Sequence, residues 1–147
     1  MWAVGKTAHG QPGPLPNCEP VAKVEVWTHW PDPACMDFSD TLAALRAAGP
    51  VYRASGMWSC FYHNVMDLFG FADYLAKMHT HPAVVEAVTE RVCQFYEQTN
   101  DRFFALAGNE VDAFFFGNDF GTQQECICSQ KSFDRFVLPW LGRFTAQ

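Results

Sequence analysis

Two short segments of the 147-residue chain collect the side chains that acid–base and hydrogen-bonding chemistry needs. Gly56-Met57-Trp58-Ser59-Cys60-Phe61-Tyr62-His63 offers a phenol and an imidazole. Gly117-Asn118-Asp119-Phe120-Gly121-Thr122-Gln123-Gln124 offers a carboxylate and several amides. An imidazole changes charge near neutral pH, so His63 can serve as acid, base or hydrogen-bond donor. Asp119 stands just beyond a Phe-rich run, where a polar group needs a reason. The catalytic candidates are therefore Asp119 and His63, and the substrate-contact candidates are Asn118, Tyr62, Trp58 and Gln123. Each has a structural alternative. Asp119 and Asn118 can close the loop as an Asx turn. His63 opens a helical stretch, where an ordinary core or surface histidine is common. Tyr62 and His63 point in different directions on a helix, so only one of them should face a pocket. Trp58 reads more readily as packing than as contact.

Metal chemistry has little support. His79-Thr80-His81 and Cys126-Ile127-Cys128 are far apart in the chain, and zinc asks for four convergent ligands in recognised pairs. His81 before Pro82 is more simply a helix-entry residue. No metal and no cofactor is expected. Gly5-Lys6-Thr7 lacks the upstream glycine and strand of a phosphate loop. Asp119-Phe120-Gly121 spells a kinase motif without the other kinase motifs.

Composition narrows the class. Apolar residues are 49% and charged residues 18%, which excludes a disordered chain. The formal net charge of −6 does not favour nucleic acid or an anionic membrane. No apolar run approaches the roughly 18 residues of a membrane span, and the N-terminus does not read as a secretory signal. The six cysteines contain no CxxC and read as free thiols. A soluble cytoplasmic protein is the expectation. The 14 phenylalanines are a heavy load for one small domain, and suggest surface that a partner or further chain covers.

The elements that must position these residues follow from pattern. Residues 1–37 are rich in Pro and Gly and read as an extended connector, with a short helix at about Glu19 to Glu25. Residues 38–147 carry the regular structure. Ser39-Asp40 starts a helix that Gly49-Pro50 ends. Val51 to Ser55 is a strand candidate. Helical pattern runs from about Cys60 to Leu68 and from Phe71 to Met78. Pro82 to Ala107 is the clearest helix, with Val84, Val88, Val92, Phe95, Thr99, Phe103 and Leu106 on one face and Gly108-Asn109 as its stop. Val111 to Phe116 is a second strand candidate. Ser129 caps a last helix, which Pro139 should kink. Short apolar strands alternating with helices predict an α/β fold with a parallel sheet. Two strands are too few for such a sheet, and the chain stops on a helical pattern without a cap.

Pro31-Asp32-Pro33, the Gly56 to Phe71 segment, and above all Gly117-Asn118-Asp119-Phe120-Gly121-Thr122-Gln123 followed by Ser129 and Phe133-Asp134-Arg135-Phe136-Val137-Leu138-Pro139-Trp140 resemble the uroporphyrinogen decarboxylase superfamily. The likeness runs from about Leu15 to the end and is closest to a divergent bacterial branch similar to corrinoid-linked methyltransferases. It implies a partial (β/α)8 barrel, of which residues 38–147 are the central part and 1–37 a connector of the same domain. It places a pocket tyrosine of the family at His63, or at Tyr62 if the alignment slips by one, and a pocket serine at about Asn118, beside Asp119. The implied activity is decarboxylation of a tetrapyrrole in porphyrin synthesis, without metal or cofactor, or methyl transfer to or from a corrinoid, with zinc ligands beyond residue 147. This chain alone is then expected to be inactive. A barrel with strands missing leaves open sheet edges, which invite self-association. A reading of another class is a noncatalytic interaction module with an aromatic partner surface.

Overall fold

Helix formation dominates the chain, and its logic is clearest between Pro82 and Ala107. Proline occupies the first turn, where its missing N–H costs nothing, and Gly108 ends the run at φ 51°. The 26 residues between form one continuous helix, as the pattern predicts. Its inward stripe of Val84, Val85, Val88, Val92, Cys93 and Tyr96 is buried. Each fully buried valine contributes about 1.5–3 kcal/mol relative to exposure.

The computed structural model describes residues 13–15, 17–56 and 60–147. Seven α-helices are found among them: α1 (Val21–Glu25), α2 (Ser39–Ala47), α3 (Phe61–Phe69), α4 (Phe71–Thr80), α5 (Pro82–Ala107), α6 (Gln130–Phe136) and α7 (Leu138–Ala146). Two strands accompany them, β1 (Ala54–Gly56) and β2 (Ala113–Phe115). Helices α1, α3, α4 and α6 all pack on α5. Phe61, Tyr62, Val65, Leu68 and Phe69 of α3 meet Tyr74 and Met78 of α4 and the valine stripe of α5 in one core. A smaller core forms at the far end of α5, where Leu42 and Leu45 of α2 meet Phe103 and Ala107. There Phe38 meets Phe103 edge-on at 5.4 Å and Phe104 meets Phe114 at 4.8 Å. Ring-on-ring packing of this kind absorbs much of the phenylalanine content.

The expected partial (β/α)8 barrel is not what forms. The described residues are mostly helical, 62%, and their strands form a single two-stranded parallel sheet. The physical reason lies between the strands. Three helices fill that interval, and their apolar faces close on one another instead of on a sheet. The strands are three residues each, and Ala54, Gly56 and Phe115 are exposed. They link the chain without forming a layer. Their register pairs Ala54 with Ala113 and Gly56 with Phe115. A Cβ on Gly56 would lie 2.2 Å from the Phe115 carbonyl oxygen, so the close approach requires glycine there. Arg53 and Asp112 clamp the strand entrances: the Arg53 N–H donates to Asp112 Oδ2 at 2.8 Å, and the Asp112 N–H donates to the Arg53 carbonyl at 2.9 Å.

Described residues between 13 and 37 join the body of the fold. Leu15, Cys18 and Val24 enter the main core, and the Leu15 N–H donates to the Leu68 carbonyl at 2.8 Å. Pro139 does not kink one helix but sits in the first turn of a second, because the chain breaks at Val137 between α6 and α7. Ser129 caps α6 by accepting the Ser132 N–H at 3.2 Å. Arg135 pairs with Glu86 at 2.7 Å and Arg143 with Glu97 at 2.5 Å, tying both helices to α5. These pairs are solvent-facing, worth at most about 1 kcal/mol each. No helix among the described residues is long and apolar enough to cross a membrane.

Gly70 joins α3 to α4 at φ 93° and ψ 144°, a conformation reserved for glycine. Its N–H donates to the Met66 carbonyl at 2.7 Å and its carbonyl accepts the Tyr74 N–H at 2.9 Å. Gly70→Ala should therefore cost about 1–3 kcal/mol in chemical denaturation. A variant as stable as the parent would show that the joint adapts.

Candidate functional site

Both chemistry-bearing segments contribute to one cleft. Its volume is about 620 Å³, and its described lining is His63, Met66, Phe71, Asp119, Gly121, Thr122, Gln123 and Ile127. His63 lies in the first turn of α3, and Met66 follows three residues later on the same helix face. Phe71 opens α4. The facing wall is the 117–128 loop.

That loop is held by its own polar groups. Asp119 Oδ1 accepts the Gly121 N–H at 3.2 Å, which is the expected Asx turn. Thr122 Oγ1 accepts the Gln124 and Glu125 N–H groups at 3.2 and 3.1 Å. Gly121 and Cys126 form an antiparallel bridge, and the Ile127 N–H donates to the Phe120 carbonyl at 2.9 Å. The Phe120 ring anchors the loop, 5.5 Å from Tyr62 and 5.2 Å from Phe133. With Phe120 packed into the protein, its neighbours Asp119 and Gly121 are left to line the cleft.

Asn118 does not line it. Its Oδ1 accepts the Tyr62 N–H at 3.1 Å and so satisfies an otherwise orphaned amide in the first turn of α3. The local cap residue, Cys60, supplies no side-chain cap bond. A cap is thus delivered from 56 positions away. Tyr62 is also outside the cleft. It is 1% exposed, its ring edge-on to Tyr74 at 5.6 Å, and its hydroxyl has no hydrogen bond of ordinary geometry, with the Cys128 thiol the nearby polar group. Burial, then the Cys128 contact, raises the Tyr62 phenol far above its usual range, and burial does the same to Tyr74. Neither is an acid–base group at neutral pH. Trp58 lies outside the described residues.

The structure therefore brings His63, Asp119 and Gln123 together and sends Tyr62 to the core and Asn118 to a helix cap. Pattern reading missed Met66, Phe71, Thr122 and Ile127. Met66 was accessible to it, since a side chain three positions after His63 shares its helix face. Phe71 was not, because its approach depends on the α3–α4 joint. Asp119 is the carboxylate of the cleft, and its described lining contains no Lys or Arg. No group of three or more His, Cys, Asp or Glu among the described residues could hold a metal ion. Comparison with protein-family models, curated proteins and solved structures finds no match for this chain.

Two outcomes follow. Asn118→Ala should lose about 1 kcal/mol of stability through the lost cap, measured by urea denaturation, whereas His63→Ala should change it by under about 0.5 kcal/mol. Equal losses would contradict the division of roles. Tyr62 and Tyr74 are neutral in the fold while the unfolded chain ionises them from about pH 10 upward. The unfolded state then binds fewer protons, so stability is intact below that pH and falls as pH rises above it. Tyr62→Phe removes one such group and an unpaired buried hydroxyl. It should leave stability at pH 7 equal or higher and move the alkaline unfolding midpoint upward; an unmoved midpoint would count against a buried phenol.

Proposed function

We propose that the cleft binds a small, largely apolar molecule and that His63 exchanges a proton with it, making the chain part of an acid–base enzyme. The supporting observation is the meeting of His63 with Asp119, from distant segments, against the apolar walls of Met66, Phe71 and Ile127. Asp119 and Gln123 would orient the ligand through its donors. Asn118 would act on the site by holding the loop to α3.

Decarboxylation of a tetrapyrrole, the activity implied by the resemblance, asks for a proton donor and for cations that neutralise carboxylates. His63 suits the first requirement, and the described lining lacks the second. A substrate poorer in carboxylates fits better. The corrinoid methyl-transfer reading places its zinc ligands beyond residue 147, so it would draw only substrate contacts from this cleft. The module reading has one observation in its favour: Tyr52, Val51 and Phe115 are 75%, 56% and 55% exposed, beside or within the small sheet.

One NMR titration separates these readings. Indole, uroporphyrin and hydroxocobalamin are added in turn to the labelled chain, with light scattering on the same samples. Indole should shift the His63 ring and the Thr122 and Gln123 amides, and His63→Ala should weaken that binding several-fold. Tight uroporphyrin binding at the same residues would replace this reading with the decarboxylase one, and hydroxocobalamin binding with the methyl-transfer one. A chain that dimerises and binds none of the three would favour the module.

A further inference from the structure

A second, smaller cavity lies where α2, α5 and the two strands meet. It measures about 180 Å³ and shares no described lining residue with the His63 cleft. Asp37, Thr41, Ser55 and Asn100 are its described polar lining, and Phe38, Phe103 and Phe114 its aromatic lining. Asn100 is 2% exposed on α5, where a polar amide is costly unless every group is paired.

The orientation of that amide follows from its neighbour. Gln147 Nε2 donates to the Glu97 carbonyl at 3.0 Å and to Asp101 Oδ1 at 2.8 Å, two groups that can only accept. Gln147 Oε1 must then be its acceptor end, and it takes a hydrogen from Asn100 Nδ2 at 3.1 Å. With its nitrogen so engaged, Asn100 has its oxygen left to offer. Oδ1 is buried and without a hydrogen-bond partner among the described residues. It calls for a donor. Asp37, whose Oδ1 already receives the Ser39 hydroxyl at 2.6 Å and the Ser39 N–H at 2.9 Å, adds a carboxylate to the same lining. The described lining holds no Lys or Arg; Arg102, whose guanidinium lies 5.9 Å from the Phe38 ring, donates to the Pro33 carbonyl.

We propose that this cavity binds a small primary amine carrying an apolar body. The ammonium donates to Asn100 Oδ1 and is balanced by Asp37, while the body lies against Phe38, Phe103 and Phe114. Aromatic faces favour a cation as well as an apolar body. The cavity is below the range of drug-sized ligand sites, which limits the occupant to a compact molecule.

Benzylamine is the probe, with benzyl alcohol and benzoate as controls of matching shape. Titrated into the full chain, benzylamine should raise Tm with dose and shift the Asn100 side-chain amide and the Phe103 and Phe114 ring signals, leaving His63 and Thr122 unmoved. Benzoate should do neither. Asp37→Asn should weaken benzylamine binding several-fold and leave benzyl alcohol binding unchanged. This variant alters an exposed side chain and is expected to fold, so it keeps the test decisive if Asn100→Leu, expected to weaken benzylamine at least tenfold, fails to fold. The proposal is overturned if benzylamine produces no shift at millimolar concentration, if benzoate binds as well, if the shifts fall on the His63 cleft, or if Asp37→Asn leaves benzylamine affinity intact.

Discussion

The inward stripe of α5 is the surface on which the rest of the molecule assembles. Val84, Val85, Val88 and Val92 present stiff, β-branched side chains to α3 and α4, and the same core takes in Leu15, Cys18 and Val24 together with Phe136, Val137 and Phe144. None of the other described helices is longer than ten residues, a length at which isolated helices are marginal in water. Their stability comes from docking. The same helix reaches the second core through Phe103 and Ala107, so the two cores share one rigid axis.

The cleft lies at the joints of this assembly. One wall is the first turn of α3 with the start of α4, and the other is a loop that belongs to neither. Rings and backbone bonds do the positioning: Phe120 seats the loop, the Thr122 hydroxyl folds its tip, and the Asn118 amide fixes it to α3. The side chains left over for a ligand are those that this internal bonding does not consume.

How far the sequence disclosed this arrangement depended on how local each cause was. Pro82 and Gly108 bound α5 because start and stop signals act within a turn of the residue that carries them. The strands came out shorter than the runs 51–55 and 111–116, since pairing depends on a partner 59 residues away. The barrel expectation failed for a related reason. A strand–helix–strand order does not say whether the helices cover a sheet or one another, and here α3, α4 and α5 cover one another. At the site, the divergence of neighbouring side chains on a helix puts His63 at the cleft and Tyr62 in the core. Asp119 closes an Asx turn, and the same residue lines the cleft. The role of Asn118 was not legible, because a cap supplied across the fold leaves no mark near the helix it serves.

That distant cap has a mechanical consequence. Its donor is the main-chain N–H of Tyr62, so any residue other than proline at position 62 preserves it, whereas the acceptor depends on the side chain at 118. The tether is robust at one end and fragile at the other. It also carries force both ways: whatever tightens the loop lowers the fraying of α3 at the turn that bears His63, and whatever loosens that turn frees the loop. The two walls of the cleft are in this sense one hinged part.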